Sequence, residues 1–185
     1  MVPSIRGERI ALRPADMREA SALWKLVKTP PAIAGFPEPA SGPESVARWM
    51  ADTAAAGVLV WTIRHDGQIV GLVTAEMRSG AIATVGYTVE EAWSGRSVAT
   101  EALQAVTDWL FTERLAHRVE VCVATGSFAL WRVAQQAGFV LEGVARESWR
   151  WGGVWHDARN YALLRRDWMA ARRSSEAPQW VANGS

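Results

Sequence analysis

A short run of small residues precedes the most regular helical period of the 185-residue chain. Strand-like alternation ends at Val89, a helix is predicted from about Ser97, and Gly95 and Arg96 stand directly before it. Backbone N–H groups at a helix start have no intrahelical acceptor, and the helix dipole adds partial positive charge there. A phosphate or pyrophosphate suits such a place. The alternative is that Gly95 only ends a turn.

The elements that must position this loop follow from hydrophobic periodicity. Strands grouped before helices favour an α/β (α+β) fold, with a mixed, mostly antiparallel sheet of about seven strands and helices on both faces. The prolines between residues 29 and 43 predict an irregular connection, which in a compact domain is often functional. The predicted elements are strand 8–14, helices 15–28 and 44–56, strands 58–65, 68–76 and 81–89, helix 98–114, strand 117–124, helix 127–137, and strands 139–151 and 155–164.

Composition and charge exclude several classes of function. Twenty Lys and Arg against nineteen Asp and Glu give a net charge of +1, which excludes strong overall attraction to nucleic acid or an anionic membrane. The single cysteine, Cys122, excludes an intramolecular disulfide, and the histidine spacing predicts no metal site. Because no apolar run reaches the length of a membrane span, we expect a cytoplasmic protein without a membrane partner.

Length and tail composition predict the domain organisation. The chain is expected to form one domain over residues 1–170, followed by a flexible C-terminal tail over residues 171–185.

Short motifs between about residues 7 and 168 share one family pattern. Ala99-Thr100-Glu101-Ala102 follows the loop, Gly86-Tyr87 closes the strand before it, and Gly138-Phe139 follows a predicted helix. Two further motifs are Arg118-Val119 and the distal pattern Gly153…Asp157…Tyr161-Ala162-Leu163…Trp168. Together these motifs resemble the GCN5-related N-acetyltransferase (GNAT) superfamily, in its branch of ribosomal-protein N-terminal acetyltransferases.

The resemblance implies an acetyl-CoA site at the loop. The family loop reads Arg/Gln-x-x-Gly-x-Gly/Ala, and the pyrophosphate would lie on the backbone N–H groups of residues 94–99. Pantetheine would lie in a V-shaped split between strands 81–89 and 117–124, and a backbone N–H near Val89 would act as the oxyanion hole. The cofactor-binding residues expected on this basis are Val89, Ser94, Gly95, Arg96, Ser97, Val98, Ala99, Thr100 and Ser127.

Two loop positions depart from that pattern. Ser94 removes the usual cation or amide, for which Arg96 could compensate. Ser97 stands where the family has its first glycine, and a serine there is expected to have negative φ.

The predicted helix 127–137 departs from the family pattern as well. Counting back from Gly138-Phe139 places Ser127 where relatives often have Asn, Leu130 where they have Ser, and Ala134 where some have Tyr. The usual acids for the leaving thiolate are therefore missing. Either another group serves, or the thiolate leaves unassisted, because an ordinary thiol has a pKa of about 8.5.

Three residues are the candidate catalysts, Glu76, Tyr87 and Ser127. Glu76 ends a hairpin strand, where its carboxylate could accept the amine proton, or it is a solvated strand-end charge. Tyr87 could donate a proton or pack against the cofactor.

Four residues of the last predicted hairpin are the candidate substrate-binding residues, Trp149, Trp151, Trp155 and Asp157. Trp149 and Trp151 are two apart and share a face, and Trp155 follows the turn. These aromatic rings could stack a flat acceptor group or bury a homodimer contact. Asp157 could orient the acceptor amine or cap a turn.

The leading hypothesis is an N-acetyltransferase that moves the acetyl group of acetyl-CoA to a primary amine. The acceptor would be a small molecule or a protein or peptide N-terminus, and it would attack directly in a ternary complex. A non-catalytic acyl-CoA-binding module is one alternative, because the loop and helix depart from the family pattern. A self-resistance acetyltransferase acting on an aminoacyl nucleotide or antibiotic is another, suggested by the tryptophans.

Overall fold

Alternating apolar residues build one sheet in the computed structural model of the protein. The structure describes residues 2–27, 41–78 and 81–176. In these ranges the sheet has eight strands, in the spatial order β1-β2-β3-β4-β5-β6-β8-β7, and only β5 and β6 run parallel. The strands are β1 Ile5–Arg6, β2 Ala11–Pro14, β3 Leu59–His65, β4 Gln68–Arg78, β5 Ile82–Val89, β6 Arg118–Ala124, β7 Val140–Trp151 and β8 Val154–Leu164.

The predicted fold class is confirmed, and the strand count rises from about seven to eight. The additional strand is β1, which has only two residues and pairs with β2. A strand of two residues is too short to produce a readable alternation.

Five helices cover the sheet within the described ranges, and none of them is long and apolar enough to cross a membrane. The first helix begins later than predicted, because Asp16 caps a short 3₁₀ turn at Met17–Glu19 before it. The helices are α1 Ala20–Leu26, α2 Pro43–Ala55, α3 Val98–Thr112, α4 Phe128–Gln136 and α5 Arg165–Glu176.

The C-terminal helix α5 extends into the segment that was predicted to be a flexible tail from residue 171. Helix α5 continues to Glu176 because Asp108 of α3 anchors it. Asp108 Oδ1 accepts from Trp168 Nε1 at 2.5 Å, and Asp108 Oδ2 accepts from Arg172 Nη1 at 3.0 Å. Residues 177–185, most of the predicted irregular connection (28–40) and residues 79–80 lie outside the described residues.

The pleat sends side chains to two faces of the sheet, which different helices cover. Val85 and Tyr87 of β5 belong to a buried cluster with residues of α3, and this side is called the α3 face. Leu72 of β4 and Ala124 of β6 belong to a second cluster with residues of α1 and α2, and this side is called the α1 face.

The parallel strands β5 and β6 pair only at their beginnings. Their register runs from Ile82 opposite Arg118 to Thr84 opposite Glu120 and then stops. Strand β5 stays paired with β4 as far as Val89, and β6 stays paired with β8 as far as Ala124. The two strands therefore diverge into a split that is closed at Thr84 and open beside Val89, as the family resemblance implied.

Charged side chains join the strands at the closed end of this split. Arg118 Nε contacts Glu120 Oε1 at 2.7 Å, and the same guanidinium pairs with Glu142 of β7. Arg78 of β4 contacts Glu120 Oε2 and Thr84 Oγ1, each at 3.3 Å. These contacts connect β4, β5, β6 and β7, and hydrogen bonding to Arg118 lowers the pKa of Glu142.

Glu142→Gln should lower the free energy of unfolding at pH 7 by about 0.5 kcal/mol, because the pair is half-exposed and screened. A carboxylate whose pKa is lowered in the folded state stabilises the fold above its unfolded pKa, and this contribution is lost as the pH falls through the folded value. The difference in urea midpoint between the two proteins should therefore shrink from pH 7 to pH 3. A difference that stays constant over this range would contradict the assignment.

Candidate cofactor and acceptor site

The loop between β5 and α3 passes twice through left-handed backbone. Gly95 has φ +75°, and Ser97, the N-cap residue of α3, has φ +61°. The expectation of negative φ at Ser97 is therefore wrong, and the serine adopts a conformation that suits glycine at a cost of about 1 kcal/mol. Its side chain makes no capping hydrogen bond, so the first-turn N–H groups of residues 98–100 stay available to an anion.

A cavity of about 370 Å³ lies between this loop and α4. Six of the predicted cofactor-binding residues line it together, with Leu130, Val133 and Gln136 of α4 on the opposite wall. Thr100 Oγ1 donates to Gln136 Oε1 at 3.2 Å and so joins the two helices beside the cavity. The six residues are Val89, Ser94, Gly95, Ser97, Ala99 and Thr100.

The other predicted cofactor-binding residues lie around the cavity without lining it. The Arg96 guanidinium lies over the Trp93 ring, 5.1 Å from its centroid. Val98 is buried in the core under α3, so only its backbone N–H faces the loop. Ser127 is the half-buried N-cap residue of α4, next to the lining residue Phe128.

A second, wider groove of about 570 Å³ runs along the outer side of α3 and shares Ser97 and Thr100 with the cavity. Its floor is occupied by an ion pair, because Glu101 accepts from Arg9 N at 2.9 Å and from Arg9 Nε at 3.2 Å. This groove is lined by residues of β1, the β1–β2 connection, α3 and Arg172 of α5, and neither Val89 nor a residue of β6 is among them.

The backbone of β5 presents an N–H group to the split at the expected position. Glu90 N donates to Val70 O on the β4 side at 2.8 Å. Successive N–H groups of a strand point to opposite edges, so Val89 N–H points into the split. An N–H group in this place can stabilise a developing oxyanion.

Gly71 was missed by the sequence reasoning and fixes the end of β5. A Cβ atom on Gly71 would lie 2.6 Å from Thr88 O and 3.0 Å from Val89 Cγ1, so only glycine fits beside this edge of the split. The available signal was an isolated glycine inside a strand pattern, which indicates close backbone approach.

Tyr87 is wholly buried on the α3 face, and the structure corrects its predicted role as a proton donor. Its hydroxyl donates to Leu130 O at 2.6 Å, and burial raises its pKa well above the ordinary value. A hydroxyl that is fixed to a carbonyl and closed to solvent keeps its proton. Tyr87 instead holds α4 against β5.

Glu76 lies at the closed end of the split, away from Val89. It is exposed and pairs with Thr84, the last β5 residue that is bonded to β6. Thr84 and Val89 are five residues apart, or about 17 Å along the strand. Glu76 is therefore too far away to exchange a proton directly with an amine that attacks beside Val89.

The three tryptophans of the β7–β8 hairpin do not form one aromatic surface, which corrects that interpretation. Trp149 pairs with His156 and Trp155 pairs with Arg150, so Trp155 points to the opposite face. Trp149 and Trp151 are only 7% and 6% exposed on the α1 face, whereas Trp155 is 58% exposed. The Trp149 and Trp151 rings are covered, so neither offers an open face on which a nucleobase could stack.

Asp157 positions the backbone of the same hairpin. Its Oδ1 accepts from Glu147 N at 2.8 Å, and Glu147 has φ +45° inside a bulge between Ala145 and Trp149. Thr125 N also donates to Asp157 O at 3.0 Å. The carboxylate therefore stabilises a bulge through Oδ1, and its contact with an acceptor amine stays a prediction.

Cys122 lies on β6 beyond the point where β5 leaves it. Burial, and then the nearby Glu120 carboxylate, raise the pKa of the thiol, so it stays neutral at pH 7 and is a poor nucleophile. Within residues 2–27, 41–78 and 81–176, no group of three or more His, Cys, Asp or Glu side chains could hold a metal ion.

The chain belongs to the GNAT acetyltransferase family, because residues 9–140 match the acetyltransferase (GNAT) domain. The protein of Bacillus subtilis (strain 168) named "Probable N-acetyltransferase YjcK" is 35% identical over 105 residues, which cover 55% of this chain and 58% of YjcK. YdaF of the same organism, whose name includes the words ribosomal N-acetyltransferase, is 29% identical over 106 residues, or 56% of this chain and 58% of YdaF. The chain thus spans little more than half of the length of these relatives.

The solved structure of Mycobacterium smegmatis RimJ in complex with CoA-disulfide is similar over nearly the whole chain. It is 26% identical, with a TM-score of 0.71, and the superposition covers 93% of this chain and 94% of RimJ.

Replacing the serine at the α3 N-cap should test the strain in the loop. Ser97→Gly should raise the free energy of unfolding by about 0.5 to 1 kcal/mol, because glycine adopts positive φ without a steric cost. Gly95→Ala is the matched control: nothing lies within 4 Å of its added Cβ, so it should lower stability by conformation alone. Thermal unfolding measures both, and a Ser97→Gly protein that is less stable than wild type would contradict the strain.

Proposed function

We propose that the chain is an acetyl-CoA-dependent N-acetyltransferase whose acceptor is a primary amine, on a small molecule or at a protein N-terminus. The observation that carries the proposal is the position of the cavity at the open end of the β5–β6 split, beside a helix start that has no side-chain cap. Membership of the GNAT family supports it.

The loop and the split suit the two parts of the cofactor. The N–H groups at the start of α3 would bind the pyrophosphate, with partial positive charge from the helix dipole. Beyond Thr84, β5 has no strand partner on the side of β6, so its outward N–H and C=O groups are available to the pantetheine amides.

The chemistry follows from this placement. The neutral amine attacks the thioester carbonyl and forms the new C–N bond, and the carbonyl oxygen becomes an oxyanion beside Val89 N–H. The tetrahedral intermediate collapses as its C–S bond breaks and the electron pair leaves on sulfur. The proton lost by the amine passes to water, and the thiolate leaves without an enzyme acid, because Tyr87 is bonded to Leu130.

Tyr87→Phe should keep kcat within about twofold of wild type while it lowers the free energy of unfolding by about 1 kcal/mol, the net value of one hydrogen bond. Tyr161→Phe is the matched control, since the buried Tyr161 hydroxyl has no partner within the described ranges and its loss should not lower stability. Thiol release and urea unfolding measure the two effects. A fall of kcat by 100-fold or more in Tyr87→Phe, with unchanged acetyl-CoA affinity, would restore the role of proton donor.

Turnover over a panel of amines tests the function itself. Acetyl-CoA is supplied with alkyl amines, polyamines and short peptides, thiol release is followed, and the products are identified by mass spectrometry. We expect an N-acetylated product and stoichiometric CoA.

The missing acid favours a second candidate function, an acyl-CoA-binding module without turnover. Acetyl-CoA binding with no thiol release over the whole panel would support that candidate and overturn the enzyme.

A further inference from the structure

The cavity between the β5–α3 loop and α4 has a single charged residue among the described residues that line it. This residue is Arg132 of α4. Its side chain is exposed, and it makes no hydrogen bond, ion pair or ring contact within residues 2–27, 41–78 and 81–176. Because none of the described lining residues carries a carboxylate, the positive charge of Arg132 is available to an anion that enters the cavity.

Arg132 and the start of α3 line this cavity from opposite sides. Residues four apart lie on the same side of a helix, with Cβ atoms about 5–6 Å apart, so Arg132 is a neighbour of Gln136. Gln136 Oε1 accepts from Thr100 Oγ1 at 3.2 Å. Thr100 is the third residue of α3, and its N–H belongs to the first turn, which has no side-chain cap. An anion bound to this turn would therefore face Arg132 across the cavity.

The loop itself supplies no cation to the cavity. Ser94, which stands where the family loop has arginine or glutamine, lines the cavity with a neutral side chain. Arg96 is not among the lining residues, and its guanidinium lies 5.1 Å from the centroid of the Trp93 ring. Trp93 also contacts the ring of His65, the last residue of β3, with 4.6 Å between the centroids. These contacts stabilise Arg96 in a position outside the cavity.

We propose, on the basis of the proposed function, that Arg132 supplies from α4 the cation that Ser94 removes from the loop, and that its guanidinium binds the pyrophosphate of the cofactor. A guanidinium presents a planar fork of N–H donors that matches two phosphate oxygens, and such charge-assisted hydrogen bonds are stronger than neutral ones. The pyrophosphate then lies between two positive partners, which are the start of α3 and the Arg132 side chain.

Calorimetric titration of Arg132→Gln with CoA tests this inference. The variant removes the charge from a side chain that makes no contact, so its unfolding temperature should equal that of wild type. We expect Kd for CoA to rise about tenfold at low salt, as for the loss of a charge-assisted hydrogen bond. The difference should shrink at high salt, because an exposed ion pair is screened.

Two further variants serve as comparisons. Arg48→Gln is the matched control, because Arg48 is an exposed arginine on α2, which covers the α1 face of the sheet. It should leave Kd for CoA within about twofold of wild type. Arg96→Gln compares the two possible sources of the cation and should raise Kd less than Arg132→Gln does. A larger effect of Arg96→Gln would show that the loop supplies the cation and would overturn the inference.

A second ligand identifies the phosphate that Arg132 binds. Dephospho-CoA lacks the 3′-phosphate of CoA and keeps the pyrophosphate. We expect Arg132→Gln to raise Kd for dephospho-CoA by the same factor as Kd for CoA. An effect on CoA that is absent with dephospho-CoA would place Arg132 at the 3′-phosphate and overturn the pyrophosphate assignment.

The outcomes separate this inference from the proposed function. If wild type binds CoA and Arg132→Gln binds it equally well, the role of Arg132 is overturned and the acetyltransferase stays in place. An equal rise of Kd in Arg48→Gln would reduce the effect to net charge and would overturn the role as well. If wild type does not bind CoA, the proposed function fails and this inference fails with it.

Discussion

Strands β5 and β6 share hydrogen bonds over three residue pairs and then part, and the candidate site depends on this divergence. Each strand keeps its other neighbour to its end, so the sheet stays intact on both sides of the split. The separated edge of β5 has backbone groups, including Val89 N–H, that no strand of the described chain satisfies. Unsatisfied backbone groups in a fixed position are the basis of strand addition, and here they can serve the amides and the thioester of a cofactor.

The two ends of the split are built differently. Charged side chains around Arg118 and Glu120 connect the strands at the closed end, where the contacts are partly exposed. At the open end, the site is shaped by backbone conformation. Gly95 and Ser97 have positive φ and turn the chain into α3, and the first N–H groups of α3 have no side-chain cap. The strain at Ser97 is therefore a local cost of placing an anion-binding helix start beside the cavity.

Local patterns in the sequence predicted most of the fold and part of the site. The alternation of the strands and the period of α3 are local signals that predicted these elements, and the family resemblance gave the six candidate cofactor-binding residues that line one cavity. The contact of Tyr87 with Leu130 O and the anchoring of α5 by Asp108 join residues far apart in the chain. The hydrophobic periodicity of a sequence does not indicate contacts between residues that are far apart in the chain.

The predictions for Trp155 and Glu76 were wrong about strand register, although the register could have been counted from the sequence. The turn at Gly152-Gly153 has two residues, so Trp151 pairs with Val154 and Trp155 must point away from Trp149 and Trp151. The hairpin of β4 and β5 likewise places the end of β4 next to the start of β5, and hence Glu76 at the closed end of the split. Counting pairs outward from each turn would have corrected both assignments.

The account rests on the claim that CoA binds across the α3 start and the free edge of β5. An amide-resolved NMR titration of the wild-type protein with CoA tests this most directly. We predict saturable shifts at the backbone N–H groups of Val98, Ala99 and Thr100 together with Val89. Unchanged amides at these positions, with shifts at Gly7 and Arg9 along the outer groove of α3, would contradict it.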